Sequence, residues 1–183
     1  MGVAYDKHYK REDYFGKPYP QLVEFFRSLS KSKYILDLGC GQGRDSIALG
    51  QMGYKVKGVD ISSVGIQQMN ELARTYNIDV SGVVNDLYSY PITDDYDIIL
   101  LDSILHFYKN DVSKECLLVE RIISEMKSGS ILCVYMQKGA QREKILKSII
   151  SKSDCKYEIL IEKHFNHADF NSDYFVYALL KVM

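Results

Sequence analysis

Three glycines in five positions, Gly39, Gly41 and Gly43, close the apolar run YILDL in the stretch YILDLGCGQGRDSIALGQMGYKVKGVD. Acids recur where apolar runs end: Asp37 inside the first, Asp60 after YKVKGV, Asp86 after VSGVVN and Asp102 after YDIILL. One acid at a strand end is commonly a helix cap or a solvated loop residue. Four successive runs ending this way point to a shared task. Carboxylates accept hydrogen bonds and attract positive charge, so they suit a ligand rich in donors and carrying positive charge. Phosphate sites want the opposite, namely backbone N–H groups, a helix N-terminus and often Lys or Arg. Arg44 is the cation beside this turn. A dinucleotide fingerprint, G-x-G-x-x-G, needs its third glycine where Arg44 stands, and no Gly-Lys-Ser or Gly-Lys-Thr element follows. The spacing therefore disfavours nicotinamide, flavin and phosphate-loop ligands. The glycines are expected to remove side chains so that a bulky ligand approaches the backbone closely.

The elements that carry these residues follow from periodicity. In PQLVEFFRSL, Leu22, Phe25, Phe26 and Leu29 share one helical face, and Pro20 suits the first helical position. YILDLG predicts a strand, RDSIALGQMG a short helix ended by Gly53, and YKVKGVD an alternating strand. Ser62 or Ser63 can cap a helix with Ile66, Met69, Leu72, Ala73 and Tyr76 inward. VSGVVND and YDIILLD are further strands ending in acids. A helix over Asp111–Lys127 places Cys116, Val119, Ile122, Ile123 and Met126 inward, before the strand SILCVYM, the helix QREKILKSIISKS and the strands KYEILIEKHF and DYFVYALLKV. Strands alternating with helices predict an α/β fold with a doubly wound, mostly parallel sheet. The last two strands are joined by only a short loop, too short for a parallel crossover of a dozen or more residues. Seven strands with one antiparallel strand are expected.

The chain has 183 residues, 46% hydrophobic and 26% charged, with a net charge of −1. That is the composition of one globular domain. We read 1–183 as a single domain, with an N-terminal flap and helix over 1–33, a ligand-binding core over 34–136 and the last helix and strand pair over 137–183. Near-neutral charge suggests neither a nucleic-acid nor a membrane partner, and the longest apolar stretch, DIILLDSILHF, is too short and too polar to span a bilayer. Four cysteines, Cys40, Cys116, Cys133 and Cys155, form no CxxC pair and read as reduced thiols in a cytoplasmic protein. The N-terminus lacks the apolar core of a signal peptide.

The run ILDLGCGQGRDS…VKGVDIS…VVNDL…YDIILLDS resembles the class I methyltransferases that use S-adenosyl-L-methionine. It is similar in particular to their small tellurite-resistance and thiopurine-type branch, in which a G-x-G-x-G-R turn precedes a short helix and GY.V.G.D.S. The resemblance covers roughly Tyr34–Met136, and the final strand pair matches the usual end of that fold. It implies a Rossmann-like methyltransferase fold and, as cofactor, S-adenosyl-L-methionine with the product S-adenosyl-L-homocysteine. That ligand has no phosphate and offers a ribose diol, an adenine amino group, an ammonium and a sulfonium. Asp60 stands 21 residues beyond Gly39 (60 − 39), the usual place of a ribose-binding acid. The resemblance places Ile61 against the adenine, Asp86 at its amino group and Leu87 beside it. Asp37 and Gly39 lie toward the ammonium, with Cys40, Gly41 and Arg44 completing the turn, and Asp102 and Ser103 lie where the methionine end meets the acceptor.

Methyl transfer is an in-line displacement, so alignment and exclusion of water matter most, and a base is needed only if the nucleophile must lose a proton. His106 in DSILHFY is the candidate base, and Tyr14, His106 and Phe107 are candidate acceptor contacts; the alternative for His106 is simple packing. The lack of a [DN]-P-P-[YF] motif argues against amino-methylating DNA and glutamine enzymes. The aromatic N-terminus (Tyr5, Tyr9, Tyr14, Tyr19) reads either as a lid on the sulfonium and acceptor or as a flap packed on the domain. His164, His167 and Asp169 have metal-like spacing but no clear further ligand, so a hairpin is preferred and no metal is expected. The basic stretch Lys138–Lys156 holds six Lys or Arg against one Glu and one Asp, and reads as a packed helix with a solvated face. The expected activity is methyl transfer to a small-molecule acceptor. The competing readings are a nucleic-acid or protein methyltransferase and a non-catalytic cofactor-binding partner subunit.

Overall fold

The structure, a computed structural model, describes residues 6–11, 14–167 and 172–182. Its elements are α1 (Pro20–Arg27), β1 (Tyr34–Leu38), α2 (Arg44–Gln51), β2 (Lys55–Asp60), α3 (Ser63–Tyr76), β3 (Val80–Val84), β4 (Ile98–Asp102), α4 (Val112–Glu125), β5 (Ile131–Gln137), α5 (Ala140–Lys152), β6 (Lys156–His167) and β7 (Ser172–Val182). They form a seven-stranded α/β sheet of order β3-β2-β1-β4-β5-β7-β6. The chain divides into two compact units at Tyr90/Pro91.

In the first unit, β1, β2 and β3 run parallel, with Asp37 opposite Gly58, Gly58 opposite Gly82 and Asp60 opposite Val84. Pro20 opens α1, where its missing N–H costs nothing. The Ser62 hydroxyl accepts the Gly65 N–H at 3.1 Å and caps α3. Ile66, Met69 and Ala73 are buried on the inner face of α3. Tyr76, expected inward, is 49% exposed: it is the last helical residue, beside the left-handed Asn77, and the helix has run past its support. The third strand is shorter than expected. It stops at Val84, and Asp86 begins a turn that accepts the N–H groups of Ser89 and Tyr90.

In the second unit, β4 and β5 are parallel, β7 is antiparallel to β5, and β6 is antiparallel to β7. One reversed strand in a mostly parallel sheet is the predicted arrangement. Helix α4 is tighter than Asp111–Lys127, with Asp111 and Met126 as its flanking caps. Leu118 is buried where Cys116 was expected, and Cys116 is half-buried. On α5, Leu146, Ile149 and Ile150 are buried, and the Lys147 ammonium pairs with Glu162. Among the described residues, no helix is long and apolar enough to cross a membrane.

Candidate functional site

The glycine turn sits between the end of β1 and the start of α2. Gly39, Gly41 and Gly43 all adopt positive φ (86°, 55° and 83°), the region in which a β-carbon is strained. At Gly41 and Gly43 the missing side chain also makes room for the protein's own packing. A β-carbon on Gly43 would overlap Met69, and one on Gly58 would meet Met69 Cε at 2.7 Å. Gly82 faces the same methionine, so Met69 fills a groove built from three glycines. A β-carbon on Gly41 would lie 2.6 Å from the Tyr9 hydroxyl.

Asp60 stands at the carboxyl end of β2, half-buried. Its Oδ2 accepts the Gly41 N–H at 3.0 Å and its Oδ1 the Ser62 N–H at 2.8 Å. The carboxylate thus ties the turn to the entry of α3. Burial pushes its pKa up, the two N–H groups pull it down, and the neighbouring Asp6 carboxylate adds to the rise. Beside it, Ile61 is 48% exposed, a large apolar side chain at a strand end. Asp86 is exposed, with Oδ1 accepting the Tyr88 N–H at 3.0 Å, and Leu87 next to it is half-buried.

Asp37 is only 3% exposed. Its Oδ2 accepts the Ser46 hydroxyl at 2.6 Å. Burial, reinforced by the Asp45 carboxylate, raises its pKa to about 7, against the opposing pull of Ser46 and Arg44. Arg44 makes two contacts with Asp45, Nε to Oδ1 at 3.1 Å and Nη2 to Oδ2 at 2.7 Å, and lies over the Tyr19 ring at 4.6 Å. Its charge is thereby engaged within the fold. The Cys40 sulfur sits against Gly58, and burial together with Asp37 and Asp60 holds it as a protonated thiol, which suits a small-residue slot and not a nucleophile.

In the second unit, Asp102 ends β4, buried, and its Oδ1 accepts the Ser103 hydroxyl at 3.0 Å. Ser103 and Phe107 both take positive φ (56° and 50°). Such conformations cost energy for non-glycine residues and cluster at functional sites. Glu115, 3% exposed on α4, holds this segment: its Oε2 accepts the His106 N–H at 3.1 Å and also the Phe107 N–H. Leu105 is buried, while the His106 ring is half-exposed and stacks on Tyr108 at 5.3 Å. Glu115 was missed in the sequence. The signal was present, an acid on the first turn of a helix just after a segment rich in apolar residues, but nothing local says what it accepts.

Of the N-terminal aromatics, Tyr9 and Tyr19 are buried and Tyr14 is partly exposed, against Phe15 and His8; Tyr5 lies outside the described residues. His164 Nε2 lies 3.0 Å from the Glu143 carboxylate, which joins β6 to α5. Asp169, the third member of that spacing, lies outside the described residues, and among the described residues no cluster can hold a metal ion.

Residues 5–142 match the family described as Tellurite resistance protein TehB. A curated relative, the "Probable S-adenosyl-L-methionine-dependent methyltransferase TehB" of Haemophilus influenzae (strain 10810), is 33% identical over 108 residues, covering 56% of this chain and 37% of the relative. Hemagglutinin 1 of Eikenella corrodens is 27% identical over 113 residues, 58% of this chain and 37% of the relative. The chain therefore spans little more than a third of the length of these curated relatives. The crystal structure of TehB from Haemophilus influenzae superposes with a TM-score of 0.73 at 20% identity, over 93% of this chain and 66% of that one. The N-methyltransferase NodS from Bradyrhizobium japonicum WM9, solved with S-adenosyl-L-homocysteine, gives 0.78 at 13% identity, over 96% and 95%. At these identities the two structures establish the shared fold.

Proposed function

The chain belongs to the TehB tellurite-resistance family, and from that membership we propose that it is an S-adenosyl-L-methionine-dependent methyltransferase acting on a small-molecule acceptor. The observation that carries the reading is the Asp60 carboxylate, pinned at the end of β2 by the Gly41 and Ser62 N–H groups. A fixed carboxylate there keeps lone pairs with which to accept from a ribose diol. The donor set around it fits the same cofactor. Ile61 offers an apolar surface to the adenine, Asp86 an acceptor for its amino group, and Leu87 its neighbouring backbone. Asp37 lends negative charge from behind the turn, where the Gly39 carbonyl and an ammonium would meet, while Cys40, Gly41 and Arg44 shape the turn itself.

S-Adenosylmethionine, when bound, supplies a methyl group already activated on a sulfonium. The chain's own residues then orient and enclose. Asp102 and Ser103 are assigned to the methionine end, and Tyr14, His106 and Phe107 to the acceptor. Glu115 sets the main chain of His106 and Phe107, so the imidazole is presented from a rigid segment, as base or as contact. Alignment of this kind is the main contribution protein makes to an in-line transfer. On this reading residues 1–183 act as one methyltransferase domain, in the cytoplasm, with its cysteines reduced. Nucleic acid and membrane are not partners.

Titration calorimetry with S-adenosyl-L-homocysteine, NAD and ATP tests the proposal. Binding of the first without competition by the others supports it; binding of NAD and none of S-adenosyl-L-homocysteine refutes it. An acceptor screen with labelled cofactor separates a small-molecule enzyme from the alternatives. Labelling of RNA, DNA or protein in preference to small molecules overturns the acceptor class, and binding without any turnover favours a non-catalytic subunit.

A further inference from the structure

Residues 6–11 cross the glycine turn and are tied to it by two glutamine side chains outside the acids and glycines of the motif. Gln42, inside the turn, donates from Nε2 to the Arg11 carbonyl at 2.9 Å and to Gln68 Oε1 at 2.6 Å. Its Oε1 accepts the Tyr14 N–H at 3.0 Å. Gln68, on α3, donates from Nε2 to the Tyr9 carbonyl at 2.8 Å. The Ser62 hydroxyl donates to Asp6. These bonds seat Tyr9, 4% exposed, against Gly41 and Gly65: a β-carbon on Gly41 would lie 2.6 Å from its hydroxyl, and one on Gly65 3.2 Å from its ring.

We propose that Gln42 and Gln68 are positioning residues which hold residues 6–11 and Tyr14 as a strap across the glycine turn, so that Tyr9 keeps the turn in its cofactor-binding shape and slows cofactor departure. The inference rests on the reading of this turn as the S-adenosylmethionine site. The physical reason is the turn's composition. Three left-handed glycines give the backbone more freedom to lose on binding than any other residues would, and a preorganised site avoids that cost. The paired amides suit the task because each glutamine both donates and accepts, so one pair joins the turn, α3 and the strap.

The test compares the parent protein, the Gln42→Ala/Gln68→Ala double variant, Gln68→Ala alone and Gln67→Ala as control. Gln67 neighbours Gln68 on α3 but bonds outward to Glu71, and alanine is favourable within a helix. Two quantities are read: the dissociation rate of S-adenosyl-L-homocysteine, and tryptic cleavage after the exposed Lys7, Lys10 and Arg11. In the parent, S-adenosyl-L-homocysteine should slow cleavage. In the double variant, cleavage should quicken and the ligand should leave about tenfold faster, equivalent to about 1.4 kcal/mol, while Gln67→Ala behaves as the parent. A double variant with parental melting and a parental dissociation rate overturns the proposal, as does an equal acceleration in Gln67→Ala. If the double variant melts early, Gln68→Ala decides: a smaller acceleration in the same direction supports the strap, and none overturns it. Failure of the parent itself to bind S-adenosyl-L-homocysteine refutes the function proposed above, and this inference with it, whereas failure of the strap alone appears only in the variants.

Discussion

Replacing Asp37 by Asn should stabilise the protein, and only above acid pH. Asp37 is buried, its pKa raised to about 7 chiefly by that burial. In the unfolded chain it returns to its ordinary value of 3.8. Between these two values the folded protein keeps a proton that the unfolded chain has lost, so stability falls as pH rises through the window and levels off above about 7. The span is 7 − 3.8 = 3.2 units, and at 1.36 kcal/mol per unit the ceiling is about 4 kcal/mol. Asn never ionises, and its carbonyl can still accept the Ser46 hydroxyl that Asp37 accepts at 2.6 Å. Asp37→Asn should therefore exceed the parent in stability near pH 8, by an amount on the order of 2–4 kcal/mol, and the gap should shrink toward pH 4. Urea unfolding of both proteins, followed by circular dichroism across that range, measures it; groups common to both cancel in the difference. The same variant should bind S-adenosyl-L-homocysteine more weakly near pH 8, because the negative charge behind the turn is gone. A variant no more stable than the parent near pH 8, or with a gap that widens in acid, would refute the assignment of a buried, costly charge to Asp37.

Asp60→Ala should lower S-adenosyl-L-homocysteine affinity about ten- to a hundredfold, since a hydrogen bond to a charged group contributes roughly 1.5–3 kcal/mol. It should also lower the melting temperature, because the Gly41 and Ser62 N–H groups lose their acceptor; native affinity in calorimetry would contradict the ribose assignment. Glu115→Ala leaves the N–H groups of His106 and Phe107 without their carboxylate and should cost roughly 1–3 kcal/mol for each donor left unsatisfied. Glu115→Gln, which keeps an acceptor, should cost much less, and equal losses in chemical unfolding would exclude the pinning role. A β-carbon on Gly82 meets the end of the Met69 side chain and, at 3.0 Å, Ile66 Cδ1, so Gly82→Ala should cost less in a Met69→Ala background than in the parent, whereas Gly43→Ala is strained at a φ of 83° as well and should keep more of its cost in the same double-mutant comparison.

What the amino-acid sequence determined alone was local. Alternation and apolar runs defined the seven strands, Pro20 and Ser62 marked two helix starts, and the short link before Ser172 required β7 to run antiparallel to β6. Even the acids could be placed, because strand ends are readable from the runs that precede them; Asp86 alone fell two residues past its strand. These features depend on neighbours a few residues apart, which the chain order already supplies. The partners of those residues were decided by tertiary structure. That Gly43, Gly58 and Gly82 together make room for Met69 depends on the register of β2 with β3 and on α3 lying over both. Gln42 and Gln68 meet across 26 residues and Gln68 reaches Tyr9 across 59, distances over which no periodicity operates. Glu115 accepts from His106 and Phe107 only because the segment after β4 turns back through two left-handed residues. A side chain's type states what bonds it can make; which groups stand within reach is settled by the topology that folds distant segments together.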